Sequence, residues 1–388
     1  MRPWHFVLAF GLVSLLADMV YEGARSIIGP YLATLGASAT VVGLAAGAGE
    51  FIGYGMRVFS GYLVTRRRRY WAWTIAGYAL TVISVPLIGM TTALAPALLL
   101  YGTERLGKAV RSPAKDTLLS QVSSQTGRGA TFGVHQAMDQ VGAVLGPLLL
   151  AAILAVSSDD YRLAFGSLAV PGVLVLVVVA WMRRRVPDPS VYEAGPVGTE
   201  KPAELPTRTA MPRLMWEYVG AVAVLSCGIA SFPLLAFHAQ TTGLLTPAQI
   251  PLLFAVAMLT DGLTGPVVGR MYDRRGARVL LAVPVTACAA ALVFSDRVWL
   301  IWLGVAVWGI VNGVLDSTVK AVVTELVVPD ARAVAFGWLA LGRGAGLLLA
   351  GGILGAAYDN DISLTVYLIV AANILAFLGL RHVLNRLP

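Results

Sequence analysis

Apolar runs alternate with short polar or basic turns along almost the whole of this chain. A helix that crosses a bilayer needs about 20 predominantly apolar residues. On that measure the pattern predicts helices at residues 4–35, 38–64, 70–90, two within 94–150, and 161–182. Six more follow at 214–242, 248–271, 278–294, 298–326, 331–358 and 363–384. Between the two sets lies the stretch 186–212, where six prolines fall within 27 residues amid scattered charge. No core forms from such a composition, so it reads as a linker between an N-terminal bundle (1–185) and a C-terminal bundle (213–388). Pro113 is expected to end or bend the membrane part of the fourth helix. The apolar run behind Arg2 imitates a signal peptide, but Asp18, Glu22 and Arg25 follow it in place of a cleavage site, so it reads as a retained first helix.

Composition strengthens this reading. Of 388 residues 57% are hydrophobic and only 13% charged, too few charges to cover a soluble surface of that size. The net charge of +8 is no nucleic-acid signal, because the arginines gather at helix ends, in 66–69, 183–185, 274–278 and 381–386. That is how cytoplasmic loops look under the positive-inside rule. Counting crossings from those loops places both termini and the linker on the cytoplasmic side of a plasma (inner) membrane. Cys227 and Cys288 sit in apolar runs and imply neither disulfide nor metal site. The chain carries no phosphate-binding loop, no Ser-His-Asp order and no Cys/His ligand spacing. An enzyme and a cofactor are therefore not expected. The expected partners are the lipid bilayer, a small-molecule substrate and protons, with the chain working as a monomer.

Ionisable residues interrupt these spans, and at membrane depth they mark a substrate or proton path. Asp18, Glu22 and Arg25 share one face of the first helix, and Glu50, Tyr54 and Arg57 repeat the spacing on the second. Arg105 on the fourth helix and His135 with Asp139 on the fifth complete a polar set in the first half. Burial and a nearby Arg105 would pull the proton affinity of Asp139 in opposite directions, which makes a proton site responsive to conformation. Asp18, Glu22, Asp139, Arg105 and His135 are thus the proton-coupling candidates. Lys108, Arg111 and Lys115 read as snorkelling side chains or partners of Asp116, with the drawing of an anionic substrate inward as the alternative. The second half offers Asp261, Asn312, Asp316 and Arg343, which join Glu50, Tyr54 and Arg57 as substrate-binding candidates. As a metal site the first-half acids and His135 would supply oxygen and nitrogen ligands, but Arg25, Arg57 and Arg105 at similar depth oppose a divalent ion. No metal is expected.

The two halves also repeat. Residues 118–147 align without a gap on 322–351, bringing Phe132 onto Phe336, Gly142 onto Gly346 and Asp139 onto Arg343. Repeated halves are a transporter signature. The run Gly269-Arg-Met-Tyr-Asp273-Arg274-Arg-Gly276 resembles the loop motif of the major facilitator superfamily. Gly142-x-x-x-Gly146-Pro147 is similar to the antiporter motif of its drug–proton exchangers, and Arg105 resembles their buried helix-4 arginine. The first-half loop departs from that motif, with Thr65 where the family has an acid and Arg68 where it has glycine. This resemblance implies an all-α fold of twelve transmembrane helices in two pseudo-symmetric six-helix bundles. It also implies export of a small organic, drug-like compound in exchange for protons. A divalent-metal exporter of the same fold and a non-transporting receptor or scaffold are the alternative readings.

Overall fold

The computed structural model describes residues 1–67, 69–192, 211–328 and 331–387, without the side chains of Val58, Thr65, Arg128 and Ala333. Most of the expected linker, the Arg68 departure and the Thr65 side chain lie outside the described residues. Every regular element within them is helical. The first half holds α1 (Pro3–Thr34), α2 (Ala39–Arg67), α3 (Tyr70–Ile88), α4 (Leu94–Thr126), α5 (Arg128–Val156), α6 (Tyr161–Ser167) and α7 (Ala169–Arg185). The second holds α8 (Arg213–Cys227), α9 (Phe232–Thr241), α10 (Gln249–Arg275), α11 (Ala282–Ala290), α12 (Val298–Leu326), α13 (Arg332–Asn360) and α14 (Ile362–Leu384).

Among the described residues, nine segments are long and apolar enough to cross a membrane. One of them, Gln249–Phe294, spans 46 residues and holds two helical runs parted at Gly276. α2 and α4 are long enough but more polar.

Three local departures from the expected helices follow. α4 continues through Pro113 to Thr126, so the proline does not end the helix. The sixth expected helix is interrupted at Leu168, between α6 and α7. The seventh breaks between α8 and α9, where the carbonyl of Gly228 accepts a hydrogen bond from Asn373 Nδ2 at 2.9 Å. The carbonyl of Ala230 in the same break accepts one from Trp308 Nε1 at 2.9 Å. Backbone groups released from a helix inside a membrane need such partners, and neighbouring helices supply them.

Contacts gather the chain into two compact units, residues 1–25 with 56–204 and residues 26–55 with 205–388. In the first unit an aromatic cluster ties the chain start to the segment after α7. Phe6 packs on Phe10, Trp71 and Tyr192. Tyr192 donates its hydroxyl to the Met1 carbonyl at 2.7 Å, and Trp71 Nε1 donates to Val186 O at 3.0 Å. α3 and α4 approach closely at paired glycines. A Cβ on Gly77 would lie 2.6 Å from the Gly107 carbonyl oxygen, and one on Gly107 2.7 Å from that of Gly77.

In the second unit the early part of α2 lies antiparallel along α13 in a regular register. Gly43 faces Gly351, Gly47 faces Leu347, and Gly355 faces Ala39, each backbone to backbone with no room for a Cβ. At one end of this seam Asp359 caps α2. Its carboxylate accepts from the backbone N–H of Ala39 and Thr40, both at 2.9 Å, and from the Thr40 hydroxyl at 2.6 Å. An anion at a helix N-terminus satisfies orphan donors and the helix dipole together.

The repeat seen in the sequence has a structural counterpart inside each unit. A Cβ on Gly142 would strike the Leu15 carbonyl and lie 3.0 Å from Asp18 Cβ. A Cβ on Gly346 would strike the Ala223 carbonyl and lie 2.8 Å from Ser226 Cβ. Both glycines thus seat on a helix of their own half, α5 on α1 and α13 on α8, over residues with the same spacing.

Candidate functional site

The candidate residues of the first unit come from four helices. α1 presents Asp18, Tyr21, Glu22 and Arg25, α3 presents Tyr78, α4 presents a ladder from Glu104 to Lys115, and α5 presents His135 and Asp139. Close approach at the glycine contacts sets this geometry. Gly142 and Gly146 bring α5 onto α1 at Leu15 and Met19, which places Asp139 beside Asp18 and Ser14. Gly77 and Gly107 bring α3 onto α4 one turn from Arg111.

Asp18, Glu22, Glu104, Arg105, Arg111 and His135 are all buried. Glu22 Oε1 lies 3.7 Å from Lys108 Nζ, and Glu22 Oε2 lies 3.6 Å from Arg25 Nη1. His135 links two charges: its Nδ1 is 3.3 Å from Asp139 Oδ2 and its Nε2 is 3.3 Å from Lys115 Nζ. Acids and bases on three helices are therefore interleaved within hydrogen-bonding or ion-pair reach. A proton arriving at Asp139 has the His135 imidazole as its immediate neighbour, a group able to carry it further.

Arg105 makes a 2.7 Å ion contact with Glu104, its neighbour in sequence, and stacks 5.2 Å from the Tyr101 ring centre. Lys115 reaches the Asp139–His135 pair and also lies 3.9 Å from Asp116, the partner its sequence position suggests. One expectation about α4 is corrected: Lys108 and Arg111 do not snorkel. Lys108 Nζ sits 3.9 Å above the Tyr21 ring, and the Arg111 guanidinium lies between Tyr21, at 5.2 Å, and Tyr78, at 4.5 Å. The spacing of residues 108, 111 and 115, one helical face, was the signal that these cations act as a group. Tyr78 carried no signal, since an aromatic on an apolar helix reads as packing.

The sequence profile of the Major Facilitator Superfamily matches residues 10–244 and 218–387. The chain belongs to this superfamily. An uncharacterized protein of Mycobacterium tuberculosis is 46% identical over 389 residues, covering 100% of this chain and 94% of the relative. An uncharacterized MFS-type transporter of Methanocaldococcus jannaschii is 23% identical over 345 residues, covering 85% of this chain and 83% of its own. Among solved structures, a mutant of the nucleoside transporter NupG superposes with a TM-score of 0.80 over 97% of this chain and 99% of that one, at 10% identity. The fold is thus that of the superfamily, and the protein is a membrane transport protein rather than an enzyme.

Within this superfamily fold, the second unit holds a smaller charged group. Arg343 Nη1 pairs with Asp316 Oδ1 at 2.7 Å, and its guanidinium lies 5.5 Å from the Tyr54 ring centre. Glu50, one turn before Tyr54, adds its charge to the field at Arg343. Asn312 is turned onto its own helix, donating to the Trp308 carbonyl at 2.9 Å. Asp261 lies against Gly313, where a Cβ would stand 3.0 Å from its Oδ1. Arg57, although on α2, belongs to the first unit, so the Glu50-Tyr54-Arg57 face is divided between the units. In the loop motif, Gly276 ends α10 with a φ of +66°, a left-handed conformation that favours glycine. Asp273 and Arg274 are exposed there, and Gly269 has open space around its Cα. Gly146 packs on Met19 as Gly142 does on Leu15, and α5 continues through Pro147 to Val156. Among the described residues no three His, Cys, Asp or Glu side chains gather closely enough to hold a metal ion.

Proposed function

We propose that the protein exports a small organic, amphipathic compound across the plasma membrane in exchange for protons, by alternating access. The observation that carries this reading is the meeting of Asp18, Glu22 and Asp139 with Lys108, Lys115 and His135 inside one unit. Buried charges cost several kcal/mol each to desolvate, and apolar packing of similar volume would often hold the helices as well. Their retention at membrane depth is what a proton path requires. Carboxylates that accept either a proton or a substrate cation make the two ligands compete, and such competition is the minimal coupling an exchanger needs. Tyr21 and its neighbours would cover the apolar body of the substrate. The moving bodies are the bundles 1–185 and 213–388, joined by the cytoplasmic linker 186–212, and a monomer suffices. The α2–α13 seam, capped by Asp359, supports a state closed at that end, and it parts when the other state forms.

The test is proton release on binding. Purified protein in detergent and weak buffer is titrated with dansylcadaverine, a fluorescent amphipathic amine, while a dye reports pH. Binding is expected to release protons and to weaken as the solution is acidified, because protons hold the carboxylates that the amine needs. Asp18→Asn, Glu22→Gln or Asp139→Asn should each reduce the release while leaving the melting transition in place. Binding without proton release in the wild type, or unchanged release in all three variants, would contradict the reading.

A further inference from the structure

Among the described residues Arg111 is, beside the Glu104-paired Arg105, a buried cation. It is 5% exposed, and no carboxylate lies within ion-pair distance of it among the described residues. Its Nε is buried without a hydrogen-bond acceptor, and so is the hydroxyl of Tyr78, whose ring carries the guanidinium 4.5 Å from its centre. Two buried donors in one contact, both lacking an acceptor among the described residues, are costly, because each forfeits its hydration without a replacement bond. Buried polar groups are usually satisfied, and these two donors, unlike those of Arg105 beside Glu104, have no carboxylate within ion-pair distance among the described residues, which fits an acceptor that arrives from outside the protein. The Tyr21 and Tyr78 rings stabilise the cation without using its N–H groups, which leaves the planar fork available to an incoming anion.

The surrounding charges narrow the class of that anion. Lys108, one turn away, is engaged with Glu22 and the Tyr21 face, and Asp18 lies nearby on α1. Those carboxylates would repel a dianion strongly and a monoanion less. They would also welcome a cationic group a few ångströms from the anion. We infer that the transported compound is zwitterionic, with a carboxylate held by Arg111 and the Tyr78 hydroxyl and an ammonium facing Glu22 and Asp18. This assignment rests on the exchange reading above and names the substrate class for the same site.

The test uses two probes that differ in one group. Nε-dansyl-lysine carries an α-carboxylate beside its α-ammonium, whereas dansylcadaverine lacks the carboxylate. Equilibrium affinities are measured by fluorescence on the detergent-solubilised protein at one fixed pH. The wild type should bind dansyl-lysine about tenfold more tightly, the scale of one charge-assisted hydrogen-bonded contact. Arg111→Gln should remove that preference by weakening dansyl-lysine alone, Arg111→Lys should keep part of it, and Tyr78→Phe should reduce it. A purely structural Arg111 would instead weaken both probes in proportion, with a lowered melting temperature. That result, or a wild type that shows no preference for the carboxylate, would overturn the assignment. No proton gradient enters this measurement, so it fails or stands separately from proton release in the Asp18, Glu22 and Asp139 variants.

Discussion

At the scale of single residues, the distinction that matters is between charges that are paired inside the protein and charges that are left with bonding capacity. Glu104 and Arg105 are a paired case, nearly fully buried and in contact at 2.7 Å. Breaking such a pair from one side typically costs about 3–5 kcal/mol, while replacing both members with apolar residues is often neutral. Glu104→Gln is therefore expected to lower thermal stability markedly, and Glu104→Gln with Arg105→Met to recover most of the loss. Melting curves of the single and double variants decide this; additive losses would show that the pair is not coupled. The candidate proton residues were legible in the sequence because an acid in an apolar run has few innocent explanations. Their partners were less so. Spacing placed Arg105 near Asp139, yet a neighbouring acid, Glu104, competes for it at no cost in distance, and pattern alone cannot rank the two. The unsatisfied donors of Arg111 and Tyr78 depend on what α1 and α3 bring opposite α4, which no single helix reveals.

At the scale of helices, the glycines decide which elements touch. The Cα atoms of Gly142 and Gly146 seat on Leu15 and Met19 of α1, a partner that the motif alone does not name. The reason is register: the same glycine spacing suits any small-residue crossing, and only the fold selects the partner. Gly142→Leu or Gly146→Leu should push α5 off α1, separating Asp139 from Asp18. Overpacking costs about 1–3 kcal/mol, so lower stability is expected together with reduced proton release. Wild-type behaviour in both variants would reduce the motif to filler. Gly346→Leu should have the matching effect on α13 and α8, because its surroundings repeat those of Gly142. The helix positions themselves were well read from hydropathy. The exceptions were breaks, at Leu168 and at residues 228–231, where Asn373 and Trp308 satisfy the released carbonyls. Those tertiary bonds leave no local mark in the sequence.

For the whole molecule, membership of the superfamily follows from the chain-long profile match and the shared fold. Conformational exchange is then the property to probe. Asp359 holds the α2 N-terminus with three hydrogen bonds, and loss of a helix cap costs about 0.5–2 kcal/mol. On the exchange reading, Asp359→Ala should therefore shift the balance of states by roughly 2- to 30-fold away from the sealed one. Faster hydrogen exchange at residues 39–47 and 347–355 would register the shift, and unchanged exchange there would show that the cap does not govern the seam.

The most direct measurement of the central claim is transport against a gradient. Purified protein is reconstituted into liposomes carrying an imposed pH difference, with dansyl-lysine at equal concentration on both sides. The account predicts that the probe accumulates on the side of higher proton concentration, that protons flow the opposite way as it does so, and that an ionophore collapses both. Asp18→Asn, Glu22→Gln or Asp139→Asn should abolish the accumulation in folded protein. Accumulation that persists after the pH difference is collapsed, or that is intact in all three variants, would contradict proton exchange at this site.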